Sequence, residues 1–169
     1  MKIDSTTFGR LFRLHAIALF LVASGVLAEG DVPVPAFDGP ADLALSAMQA
    51  RAAELHISGV AVVAFAPGQT PTSWSSKMLV VGNMTRPPSA GTKGDNLLGI
   101  AYAKAAEMAS TLKDSGSGAR PPYTGEYGWQ GGVVARGRTG ILIAAFSGGR
   151  SEDDVEVSKA GLGVLAKAL

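Results

Sequence analysis

The sequence predicts an α+β domain, an antiparallel β-sheet flanked by α-helices in the order α-β-β-α-β-β-α. Three observations carry this. GVAVVAFA (Gly59 to Ala66) is continuously apolar, short and rich in β-branched residues, which suits a buried strand better than a helix. Three other segments space their apolar residues at helical period. Consecutive strand segments are joined by short turns, so they pair antiparallel and leave the helices to cover their apolar faces.

Taken in order, EGDVPVPAFDGP (Glu29 to Pro40) holds three prolines and reads as an extended leader. A first helix follows over Ala41 to His56, with Leu45, Met48, Ala52 and Leu55 on one face and Pro40 at its first turn. The strand Gly59 to Ala66 ends at Pro67-Gly68, and KMLVVGN (Lys77 to Asn83) is the next strand. Met84 to Gly94 is a loop rich in Pro and Gly. Asp95 caps a second helix, Asn96 to Lys113, whose apolar face is Leu97, Ile100, Ala101, Met108 and Leu112. After a long loop, Asp114 to Gln130, the segments Gly131 to Ala135 and Gly140 to Phe146 form a hairpin. Ser151 to Leu169 is the last helix. Ser151 with Asp154 forms a capping box there, Glu152, Asp153 and Asp154 favour the positive end of the dipole, and Val155, Leu162, Leu165 and Leu169 face the core. Three carboxylates at this turn disfavour a phosphate cradle, so Gly148-Gly149 is read as a cap.

The 169 residues fit one domain behind an export signal. Lys2, Arg10 and Arg13 precede the apolar run AIALFLVASGVLA (Ala16 to Ala28), with Val26 and Ala28 at the small-residue positions of a cleavage site. The run is shorter than the roughly 20 residues of a spanning helix. The expected product is periplasmic or secreted after cleavage near Ala28, with an uncleaved N-terminal anchor as the alternative, giving a signal over 1–28, a leader over 29–40 and a domain over 41–169. Removal takes three of the 15 Lys and Arg and one of the 14 Asp and Glu, leaving almost no net charge. That argues against nucleic acid as a partner. With no cysteine, disulfides, thiolate catalysis and Cys-ligated metal are excluded.

GGVVARGRTGILIAAFSGGRSEDDVEVSKAGL (Gly131 to Leu162) joins a Gly-Gly-Val hairpin start, a strand ending Ser-Gly-Gly, an acidic helix start and Ala-Gly-Leu. This pattern resembles the haem-binding, haem-degrading HbpS/GlcG-like family, and GVAVVAF and NLLGIAYAKA are similar to its first strand and middle helix. The resemblance spans about Ala41 to Leu169. It implies an antiparallel sheet flanked by helices, assembly into a homo-oligomer, haem or another tetrapyrrole as ligand, and, for an exported member, haem sensing with a membrane sensor partner. Two positions depart from the family pattern. Ala64-Phe65-Ala66-Pro67-Gly68 stands where Asp and a Gly-rich turn are common, and Lys104-Ala105-Ala106 is followed by Glu107 where the family commonly runs Lys-Ala-x-Thr-Ala.

Four residues are the candidates for binding. His56 is the only histidine outside the signal and the natural axial ligand to haem iron, hence also the metal ligand; its structural alternative is to interact with the carbonyls at a helix end. Lys104 and Glu107, three apart, form either an exposed ion pair or a polar pair facing a pocket, where Lys104 would meet a propionate or another acid. Tyr102 adds a phenol as ligand or donor. The loop RPPYTGEYGWQGG (Arg120 to Gly132) concentrates Tyr123, Tyr127 and Trp129 as a cover for a site or an oligomer contact, with Arg120, Arg136 and Arg138 available to carboxylates. No G-x-S-x-G elbow, P-loop or suitably placed G-x-G-x-x-G occurs, and no residues show the spacing of a catalytic mechanism. The expectation is an exported haem- or tetrapyrrole-binding protein. The alternatives are an enzyme or sensor subunit for a small organic acid, clamped by Lys104 and an arginine, or a structural oligomerisation module.

Overall fold

The computed structural model describes residues 36–169. The signal and most of the leader lie outside the described residues. Helix α1 (Asp38–Glu54) leads into β1 (Gly59–Pro67) and β2 (Ser75–Val81). The short strands β3 (Thr85–Arg86) and β4 (Asp95–Asn96) precede α2 (Leu97–Thr111), and β5 (Gly132–Arg136), β6 (Gly140–Ser147) and α3 (Ser151–Ala168) complete the chain. The main sheet has the order β2-β1-β6-β5, antiparallel throughout, and β3 with β4 forms a separate two-stranded ladder.

The central strands are apolar on both faces because both faces are covered. Ala61, Val63 and Phe65 of β1 and Leu142, Ala144 and Phe146 of β6 pack under α1 and α3. Val60, Val62, Ala64, Ile141, Ile143 and Ala145 pack under α2. Full burial of each large apolar side chain contributes about 1.5–3 kcal/mol, so this pair of strands is the main source of cohesion. None of the described helices is long and apolar enough to cross a membrane.

The expected fold class holds, with helix, strands, helix, strands and helix in that order; the differences are the added β3–β4 ladder and the boundaries and faces of elements. Helix α1 begins at Asp38 rather than Ala41, and Phe37 ahead of it is buried with its ring stacked 6.4 Å from that of Phe65. Asp95 does not cap α2. Asn96 does, accepting the Gly99 N–H at 3.0 Å, while Asp95 lies in the β3–β4 ladder. The Pro/Gly-rich loop therefore contains a strand. The capping box at α3 is absent as well: Arg150 is the N-cap residue and Ser151 is already helical. The face α3 turns inward is Asp154, Val157, Ser158, Gly161 and Leu165, with Val155 and Leu162 only partly covered. Gly161 is there because Met48 of α1 fills its place; a Cβ would sit 2.6 Å from the Met48 sulfur.

Candidate functional site

Two adjoining hollows open where β1 begins and β6 ends. The wider, about 280 Å³, is lined by His56, Asn83, Thr85, Arg86 and Pro87 among others. The narrower, about 80 Å³, reaches in towards Lys104, Ser147 and Asp154 and has Trp129 at its wall. They share Arg86, Leu97 and Gly148.

Arg86 is positioned by the β3–β4 ladder, where it pairs with Asp95 in register. Its Nη1 donates to Asp95 Oδ2 at 2.7 Å and its Nη2 to the Gly148 carbonyl at 2.6 Å, so the guanidinium ties the loop to the end of β6. More than half of the side chain remains exposed, at the mouth of both hollows.

His56 follows α1 in a Schellman arrangement. Its N–H donates to the Ala53 carbonyl and that of Ile57 to the Ala52 carbonyl. The residue sits at φ +56°, in the left-handed region where glycine is usual at this position. A non-glycine residue there carries about 1 kcal/mol of strain. The side chain is exposed and lines the wider hollow.

Lys104 is not the exposed partner of Glu107. It is 3% exposed and donates to the Phe146 carbonyl at 2.7 Å and to Asp154 Oδ2 at 2.9 Å. Asp154 Oδ1 accepts the Gly149 N–H at 2.8 Å, so this carboxylate holds the Gly-Gly turn and the lysine together. Burial pushes the Lys104 amine below its ordinary pKa and the Asp154 carboxyl above its own, while their mutual attraction opposes both changes. Gly131 lets the two meet: at φ +131°, its missing Cβ would run into Lys104 Nζ and lie 2.8 Å from Asp154 Cβ.

The four residues expected to bind are not brought to one place. His56 and Lys104 line neighbouring hollows. Tyr102 packs against the α2 side of the sheet with its hydroxyl 3.4 Å from Ser76 Oγ. Glu107 is buried and accepts the Gly116 N–H at 2.9 Å, which anchors the loop after α2. The sequence gives Arg86 no role, offers Asp95 only as a helix cap and shows Ser147 only as part of the Ser-Gly-Gly strand end. Arg86 lies in a segment without hydrophobic periodicity, and only the pairing of Arg86 with Asp95 gives it a fixed position.

In the aromatic loop, Arg120 forms a forked pair with Glu126 at 2.6 and 2.7 Å and lies 3.7 Å from the centre of the Tyr123 ring. Glu126 also accepts the Tyr123 N–H, and these bonds push its carboxyl down to about 2. The rings of Tyr127 and Trp129 are 4.8 Å apart and about half exposed. Arg136 donates to Gln69 rather than to a carboxylate, and Arg138 is exposed. A shallow, mostly apolar depression of about 390 Å³ between Pro71–Trp74 and α2 holds no charged group.

Among the described residues, no group of three or more His, Asp or Glu is placed to hold a metal ion. No known protein-family profile matches the chain, and no curated protein matches its sequence.

Proposed function

We propose that the chain is a haem- or tetrapyrrole-binding protein of the HbpS/GlcG-like type, exported, with the wider hollow as its ligand seat. The observation that carries this reading is His56. An exposed imidazole occupies a backbone position that glycine would relieve, at the rim of a hollow whose other charged group is Arg86. Left-handed non-glycine residues gather at functional sites, and of the two among the described residues, His56 and Leu112, it is His56 that is exposed and lines this hollow.

The residues fit the group in kind. His56 would offer a nitrogen to the iron, Arg86 a cation to a propionate, and Ile57, Pro87 and Leu97 apolar surface to the ring. Bound haem supplies redox and ligand-binding iron chemistry; the chain's own part is to hold the ring by one edge. The hollow lies near the lower end of the roughly 300–1,000 Å³ usual for small-molecule sites, so much of the macrocycle stays outside it. A second copy of the chain covering that exposed part would account for an oligomer.

The test is hemin titration of the chain against His56→Gly, followed in the Soret band, with a thermal melt of each. Glycine removes the imidazole and also relieves the backbone. The expected result is loss of the sharp Soret shift together with an unchanged or higher melting temperature. An identical Soret shift in both proteins would remove His56 as ligand. The absence of saturable binding in the unsubstituted chain would end the haem reading.

A further inference from the structure

The narrow hollow behind Arg86 presents more hydrogen-bond donors than its own residues use. The Lys104 ammonium has three N–H bonds, of which Phe146 O and Asp154 Oδ2 take two. Ser147, at the end of β6, is 4% exposed and lines the hollow. Its side chain falls on the α2 side of the sheet, as that of Ala145 does, and among the described residues its hydroxyl has no hydrogen-bond partner. The first N–H groups of α3, beginning at Ser151 on the same wall, have no side-chain cap. Of the carboxylate oxygens nearby, both of Asp154 and Oδ2 of Asp95 are already engaged, by Lys104, Gly149 and Arg86.

Size and charge narrow the occupant. At about 80 Å³, against about 280 Å³ for its neighbour, the hollow admits a small polar group rather than a whole ligand. The formal charges on the walls cancel, Arg86 and Lys104 against Asp95 and Asp154, and the helix N-terminus adds a partial positive charge. One negative charge is accommodated on these terms. A phosphate dianion, larger and with twice the charge, is not.

We propose that this hollow is a carboxylate site, with Lys104 and Ser147 as its inner donors and Arg86 at its mouth. The rest of the ligand extends into the wider hollow. The carboxylate belongs either to a free acid of two or three carbons or to a propionate of bound haem, and the site stands whether or not haem binds.

The experiment uses the full chain and its Ser147→Val and Ser147→Ala variants. Valine fills the inner space, alanine removes only the hydroxyl, and a melt of each confirms folding. Acetate, pyruvate and inorganic phosphate are titrated calorimetrically, and hemin is compared with its dimethyl ester. A small-acid site gives saturable binding of acetate or pyruvate over phosphate, weakened about tenfold or more in either variant, the scale of a lost hydrogen bond to a charged group. A propionate site gives hemin binding at least about tenfold tighter than its ester, a difference that disappears in the variants. If hemin does not bind at all, the haem reading falls and the acid titrations alone decide this one. Equal binding of hemin and ester without acid binding, acid binding unchanged by both substitutions, or no binding of any probe would overturn it.

Discussion

Nζ of Lys104 lies 2.9 Å from Oδ2 of Asp154, although the helices that carry them cover opposite faces of the sheet. The lysine reaches past Gly131, just ahead of β5, so one buried ion pair joins both helical layers and the Gly148-Gly149 turn. Removing one partner of a buried pair strands a charge and costs about 3–5 kcal/mol, whereas replacing both by apolar residues is often neutral or favourable. Lys104→Met alone is expected to destabilise by that amount in urea unfolding, and Lys104→Met with Asp154→Leu by clearly less. In the single variant, Asp154 is left buried with its pKa above 3.8, so the folded chain holds that proton more tightly than the unfolded one. Its stability is therefore expected to rise on acidification, with the gain complete below about pH 3.8 and lost as pH rises through the folded value.

Gly131→Ala tests the same junction without altering charge. The new methyl would collide with the ammonium and force a left-handed backbone on alanine. A loss of about 2–4 kcal/mol is expected by denaturant titration, reduced but not abolished in the Lys104→Met background, where the backbone strain and the contact with Asp154 Cβ remain.

Much of the fold is legible in the sequence for a plain reason. Central strands covered on both faces need unbroken apolar runs, and GVAVVAFA has no other use in a chain of this size. Helical period likewise marks α1 and α2. The last helix misleads because its inward face is polar and small: Asp154, Ser158 and Gly161 face inward because of Lys104, the Gly131 carbonyl and Met48, none of which is near in sequence. The same holds for the candidate site. His56 is visible as the lone histidine of the described residues, but Arg86 becomes significant only when β3 pairs with β4 and sets it against Gly148.

The start of α2 separates two readings of Asp95-Asn96. Asn96 caps the helix, so Asn96→Ala should cost about 0.5–2 kcal/mol. Asp95→Ala removes only a partly exposed pair with Arg86 and should cost no more than about 1 kcal/mol. Paired thermal melts decide, and the reverse order would return the cap to Asp95.

Glu126 gives the aromatic loop an acid limit. Its carboxyl is held down to about 2 by Arg120 and the Tyr123 N–H, against 4.5 for a free one. The contribution is complete above about pH 4.5 and is lost as pH falls towards about 2. In a Trp74→Phe background, the Trp129 emission should change over that window, and Glu126→Gln should show the altered emission already at neutral pH.

We propose that ligand enters where β1 begins and β6 ends. The direct measurement is a two-dimensional amide NMR titration of the chain with gallium protoporphyrin, a diamagnetic stand-in for haem. The account predicts saturable shifts concentrated at residues 56–58, 83–87 and 147–151. Shifts confined to the Tyr123–Trp129 loop or to Pro71–Trp74 would contradict it.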